Sequence, residues 1–252
     1  MSLEGLTALV TGSGAGVGRG IAMALAAAGA HVVAATRSPN GQAVVDEIGS
    51  RGHRATWAQC DVTDPAAVSA AVALAVNTTG RLDAVVHNAT SNSSSRPHQL
   101  TEVNRDLWDD HFSVSIGGAQ NFAAAAFDAL QERGGAFLVL TSAAGMEGSA
   151  TLPLYATVKG ALRGFAKSLA REWAPCGITV NVVSPLAYSP AMTAAIEAEP
   201  AMADRLARRI PLGRIGDPEH DIGPAVAFLV GPSARYITGQ TLGIDGGHFT
   251  NL

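Results

Sequence analysis

Cysteine is nearly absent from this chain. Its 252 residues include only Cys60 and Cys176, too few for a disulfide framework, so a cytoplasmic setting is expected. Aromatics are also scarce, at 5% against 47% hydrophobic residues overall. The abundance of Ala and Gly instead suits helices packed closely on a sheet. No basic run occurs and the net charge is −4, which argues against nucleic acid or anionic membrane as a partner. The longest apolar stretch, Ile21 to Ala35, is mostly Ala and is broken by Gly29 and His31. It falls short of the roughly 18 to 20 residues of a spanning helix. Met1-Ser2-Leu3-Glu4 has no basic region followed by an apolar core, so no secretory leader is expected. His31, His53, His98 and His220 lack the spacing of metal ligands and read as surface or loop residues, and His87 and His111 read as structural. No metal is expected.

What is present is alternation. Apolar runs of strand length, Leu6–Thr11, Val32–Thr36, Ala55–Cys60, Leu82–His87, Ala136–Ser142, Thr179–Val183 and Thr241–Ile244, are separated by helix-like segments. Near-continuous apolar strands between helices predict an α/β fold, Rossmann-like and doubly wound, whose mostly parallel sheet is covered on both faces. Asp64-Pro65 and Asp217-Pro218-Glu219 read as helix N-caps followed by proline in the first turn. No repeat or linker is visible, so residues 1–252 are expected to form one domain. Thr90–Arg96 reads as a loop, and 186–211 as a substrate-loop insertion of short helices interrupted by Pro190 and Pro200. Both lie where open α/β sheets bind ligands, beyond the carboxyl ends of strands.

The first strand runs into Thr11-Gly12-Ser13-Gly14-Ala15-Gly16-Val17-Gly18, ahead of a helical run Ile21–Ala28. Glycines there permit tight turning and close approach of a ligand, and free N–H groups at a helix start attract phosphate. The G-x-G-x-x-G spacing itself is absent, yet strand, glycine loop and helix in that order predict a nucleotide site. The second strand ends Thr36-Arg37-Ser38 without a carboxylate. An acid there usually holds the ribose 2′-hydroxyl of NAD, whereas Arg37 offers charge to the 2′-phosphate of NADP. NADP(H) is therefore preferred, with NAD(H) as the alternative.

Tyr155 and Lys159 stand four residues apart, on one face of a helix. A cation so placed favours the tyrosinate and predicts an acid/base. Ser142 precedes Tyr155 by thirteen residues at a strand end. The Ser–Tyr–Lys set, the loop Thr11 to Gly18, Asp61-Val62, His87-Asn88-Ala89-Thr90 and the section Pro211-Leu212-Gly213-Arg214 through Asp245-Gly246-Gly247 together resemble the short-chain dehydrogenase/reductase family, its 3-oxoacyl-carrier-protein reductase-like members included.

That resemblance implies a seven-stranded sheet and a hydride transfer between a nicotinamide and a carbonyl or alcohol. Tyr155 would move the proton, Ser142 would bond the same oxygen, and Lys159 would favour the ionised phenol and bind the nicotinamide ribose. The cofactor would meet Gly12, Ser13, Gly16, Val17, Gly18, Asp61, Val62, Asn88 and Pro185. Departures accompany the matches. Ser115 stands where the family has a catalytic asparagine that holds water in a proton relay, and Asn121 is poorly spaced to replace it. Thr90 replaces a glycine, and Leu186 stands where Pro-Gly is usual. The expected function is NADP(H)-dependent interconversion of a ketone and a secondary alcohol, in a homo-oligomer that the family commonly builds as a tetramer. An NAD-dependent alcohol or steroid-type dehydrogenase and a catalytically impaired nucleotide-binding regulator are the competing readings.

Overall fold

Seven strands and ten helices alternate through residues 2–250, which the computed structural model describes. The first half runs β1 (Thr7–Thr11), α1 (Gly16–Ala27), β2 (His31–Thr36), α2 (Asn40–Ser50), β3 (Ala55–Gln59), α3 (Pro65–Thr79), β4 (Ala84–His87), α4 (Arg105–Phe112) and α5 (Gly118–Gln131). The second runs β5 (Ala136–Leu140), α6 (Ala144–Glu147), α7 (Pro153–Trp173), β6 (Thr179–Pro185), α8 (Pro190–Ala198), α9 (Ala201–Arg209), α10 (Gly223–Val230) and β7 (Thr241–Ile244). The strand order is β3-β2-β1-β4-β5-β6-β7, and every pairing is parallel. All seven expected strands are present. Some are shorter than their apolar runs, because Leu82 and Asp83 lead into β4 and Ser142 turns away after β5.

The apolar runs are continuous because successive residues serve opposite faces. Leu9, Val33, Val85, Phe137, Val139 and Val180 point into a core closed by α3, α5 and α7. Ala8, Val10, Val32, Val86, Leu138 and Val183 point into a second core closed by α1, α2 and α10. Phe122 and Phe137 are fully buried, each worth about 1.5 to 3 kcal/mol of transfer free energy. Both predicted caps form. Asp64 accepts from the Ala66 N–H at 2.9 Å, and Asp217 accepts from those of Glu219 and His220. The segment after β6 differs from expectation in one respect: its prolines begin helices rather than break them. Pro190 occupies the first turn of α8 and Pro200 the N-cap of α9, where proline's missing N–H has no helical partner to lose.

The topology reverses between β1 and β4, so their carboxyl ends diverge into a crevice. At the opposite end of the same strands, the buried Asp83 carboxylate accepts from the Thr7 N–H at 2.8 Å and from Arg81 Nε at 2.7 Å. Asp83→Ala leaves those donors unpaired and should cost roughly 2 to 4 kcal/mol. Urea unfolding should show a lower midpoint with an unchanged slope; an unaltered midpoint would mean the clamp contributes nothing.

Candidate active site

At the crevice the chain turns through Gly12 with φ +63° and Gly16 with φ +53°, both in the left-handed region that favours glycine. The loop is shorter than the motif suggested. Gly16, Val17 and Gly18 form the first turn of α1, because the helix starts at Gly16 rather than near Ile21. A Cβ on Gly18 would fall 2.3 Å from the Gly12 carbonyl oxygen, so only hydrogen lets α1 sit against the loop. No side chain caps α1 and no acid stands in its first turn, so its N–H groups remain available to an anion. Ser13 adds a hydroxyl that is buried without a partner. These features fit the diphosphate of a dinucleotide.

Thr11 and Asn88 hold the loop to the sheet. Thr11 Oγ1 accepts from the N–H groups of Asn88 and Ala89, each at 3.0 Å. Asn88 Nδ2 donates to the carbonyls of Thr11 at 3.2 Å and Gly12 at 3.1 Å. Asn88 thus braces β4 against β1 with its side-chain donors.

The Ser142, Tyr155 and Lys159 side chains come together at the end of β5. Gly145 makes this feasible, since a Cβ there would lie 2.6 Å from the Lys159 carbonyl carbon, and its absence lets α6 lie against α7. Lys159 Nζ is 5.6 Å from the Tyr155 ring centroid, as the four-residue spacing predicts. Yet burial, not the ammonium, governs the phenol, pushing it above the usual tyrosine value, with the Ser142 hydroxyl pulling it partly back. Without cofactor, burial keeps Tyr155 a protonated phenol. Lys159 is itself buried, its ammonium brought down to about 8 by desolvation and donating to the Leu140 carbonyl at 2.8 Å.

Ser115 lies across from this pair, on a π-helical turn, Ser113–Gly117, between α4 and α5. Such turns displace one residue from the helix register, often at functional sites. The Ser115 hydroxyl is buried with no partner, while its carbonyl accepts from His87 Nε2 at 3.0 Å. With Nε2 donating, His87 Nδ1 accepts the Thr11 hydroxyl at 3.3 Å. Burial and the Lys159 charge depress the His87 imidazole to about 3, so it is neutral and fixed in one tautomer. Asn121 donates to the Val62 carbonyl at 2.9 Å and takes no part at Ser115.

Toward β3 the polar groups are more local than their expected roles. Asp61 Oδ1 accepts from the N–H and hydroxyl of Thr63, and those bonds, with a smaller contribution from Arg37, hold its carboxyl below the usual range. Arg37 is exposed beside it. Pro185 ends β6 opposite Ile244, and Val62 is buried under α5. Beside the glycine loop, a cavity of about 370 Å³ is lined by Arg19, Tyr188, Ser189, Pro190 and Glu219; it does not reach Tyr155. Among the described residues, no group of three or more His, Cys, Asp or Glu could hold a metal ion, and no helix is long and apolar enough to cross a membrane. Two functional groups escaped the sequence. The Leu140 carbonyl that holds Lys159 is backbone and leaves no signal, and Thr11 was legible only as the letter before a glycine.

Residues 12–248 match the family profile described as enoyl-(acyl carrier protein) reductase. The chain is 38% identical, over 99% of both proteins, to the 3-oxoacyl-acyl-carrier-protein reductase FabG of Escherichia coli. Among solved structures, 3-ketoacyl-(acyl-carrier-protein) reductase from Brucella melitensis, complexed with NADH, superposes with a TM-score of 0.88 at 32% identity, covering 98% of this chain and 99% of the other. A protein from Beutenbergia cavernae with NADP bound at low occupancy gives 0.88 at 33% identity, over 98% of each.

Burying Lys159 has a measurable consequence. Its folded value of about 8 lies below the ordinary lysine value of about 10.4, so between those limits the unfolded chain binds more protons than the folded one. Its contribution to stability therefore rises with pH across that window. Replacing it by the uncharged Lys159→Met should raise the melting temperature of the cofactor-free protein at pH 7, and the gap to wild type should narrow toward pH 10. Melting curves that stay parallel across that range would show that the ammonium is not desolvated.

Proposed function

The chain belongs to the short-chain dehydrogenase/reductase family, and from that premise we propose that it reduces a ketone to a secondary alcohol with NADPH, Tyr155 supplying the proton. It is an oxidoreductase of the CH–OH/C=O class that uses a nicotinamide dinucleotide. The observation that carries the proposal is one cluster: the Ser142 hydroxyl acting on the Tyr155 phenol, with the Lys159 ammonium beside the ring.

When bound, the dinucleotide supplies the hydride. Every other part of the reaction falls to the chain. Gly12, Ser13, Gly16, Val17 and Gly18 hold the diphosphate, with Asp61, Val62 and Asn88 along the adenosine side and Pro185 at the nicotinamide end. Tyr155, kept protonated by burial, gives its proton to the carbonyl oxygen. Ser142 donates a hydrogen bond to that oxygen and fixes its position before charge develops. Lys159 compensates the tyrosinate left behind and bonds the nicotinamide ribose. Ser115, at the asparagine position, takes that residue's place in the proton relay. Arg37 gives the preference for NADPH, since no carboxylate at the end of β2 repels a 2′-phosphate and Thr36 keeps its hydroxyl on the Ser38 carbonyl. The substrate enters between Ser142, Tyr155 and the α8–α9 segment. The enzyme works in the cytoplasm as a homotetramer, the assembly its family commonly forms.

A nicotinamide absorbance assay over a panel of ketones, 3-oxoacyl thioesters included, tests the chemistry. Tyr155→Phe should lower kcat by about 100-fold or more while leaving NADPH affinity within about twofold; turnover surviving in that variant would remove the phenol from the reaction. Arg37→Ala should weaken NADPH by roughly tenfold, the worth of one charge-assisted hydrogen bond, and NADH hardly at all. Equal losses for both cofactors would sink the phosphate assignment.

A further inference from the structure

Four of the five buried side-chain polar atoms without a partner, among the described residues, belong to three residues: Nε2 of His98, both ring nitrogens of His111, and Oγ of Ser115. His111 and Ser115 are fully buried. An unpaired buried group of this kind is unfavourable, so a concentration of them calls for a use. We propose that His111, with His98 and Ser115 on either side, carries the proton between solvent and the Tyr155–Lys159 pair. The proposal rests on the reductase reading above.

The path has an outer end and an inner one. His98 sits on the partly exposed loop after β4, its N–H donating to the Thr151 carbonyl at 3.0 Å two residues before α7. Its Nδ1 lies 2.9 Å from the Arg96 carbonyl, so Nδ1 carries the hydrogen and Nε2 is left as an inward acceptor. The His111 ring stands edge-on to it, centroids 6.3 Å apart. One helical turn on, Ser115 follows on the π-helical turn, and both that turn and α4 pack on α7, which carries Tyr155 and Lys159. His87 is not part of the path, because both of its nitrogens are already engaged.

After the phenol protonates the product, a tyrosinate remains and one proton must return. It arrives on water held at the His98 Nε2 acceptor, crosses to one nitrogen of His111 as another leaves from the opposite nitrogen, and passes by the Ser115 hydroxyl to Lys159 and Tyr155. Bridging water spans the gaps. No electrons move and no bond to carbon changes. The titratable groups acting on His111 are Asp110 on its own helix, which favours the imidazolium, and His98 on the loop, which disfavours it; α7, packed on α4, carries Tyr155 and Lys159. Burial outweighs Asp110 and keeps His111 neutral, able to accept on one side and donate on the other.

The test compares wild type with His111→Leu, His111→Ala and His98→Ala at saturating NADPH and ketone. His111→Leu should lower kcat on the order of tenfold with KM unchanged and a larger solvent deuterium isotope effect. Added imidazole should restore kcat to His111→Ala in a dose-dependent way, and His98→Ala, at a partly exposed position that the fold tolerates, should move kcat and the isotope effect in the same direction. Wild-type kcat and isotope effect in His111→Leu and His98→Ala overturn the proposal; so does a loss that imidazole does not restore and that leaves the isotope effect unmoved. Turnover that needs Tyr155 but not His111 defeats this inference alone, whereas a wild type without Tyr155-dependent turnover defeats the reductase reading and this one with it.

Discussion

The hydroxyl of Thr11 is the joint on which the site hangs. It accepts from two successive N–H groups at the end of β4 and gives its own hydrogen to His87. Asn88 returns two bonds to the backbone of Thr11 and Gly12, and His87 reaches on to the Ser115 carbonyl. One buried oxygen thus fixes the glycine loop, the end of β4 and the π-helical turn relative to one another. Neighbouring parallel strands would pair without it, but their carboxyl ends would be free to splay, and the crevice is made of those ends.

A second constraint acts against stability. The chain has only two lysines, and it buries one of them, Lys159, under α7 with a single carbonyl as its partner. Desolvating a charge to this extent is unfavourable and persists where the chemistry requires it. The same burial raises the neighbouring phenol, favouring its neutral form as well. Two titratable groups thus lie side by side in an environment that disfavours charge on either one.

Much of this was legible in the sequence, for identifiable reasons. The strands were, because a sheet buried on both faces writes itself as uninterrupted apolar runs; α3 and the turn 218–222 that leads into α10 were, because Asp64 and Asp217 cap by side chain and announce it. Tyr155 and Lys159 were paired by helical periodicity, and their roles came from the resemblance that Ser142 and the glycine loop complete. What stayed hidden depends on tertiary surroundings. The ionisation of Tyr155 follows from how much protein covers it, which spacing does not encode. Asp61 looked free to meet a ligand and is half spent on Thr63. His98 looked like a loop residue, and only folding brings it to His111. The starts of α1, α8 and α9 were misjudged because glycine and proline read as breakers in a string, whereas at a first turn each is tolerated.

Gly16 lies where α8 meets the glycine loop. Its φ of +53° excludes most side chains on conformational grounds, and a Cβ there would also come within 2.9 Å of Pro190 Cδ. Two independent penalties fall on one residue, so a change that relieves either leaves the other in force. Trimming Pro190 alone would therefore not admit a side chain at Gly16, so the contact between α8 and the loop can be remodelled only from the α8 side.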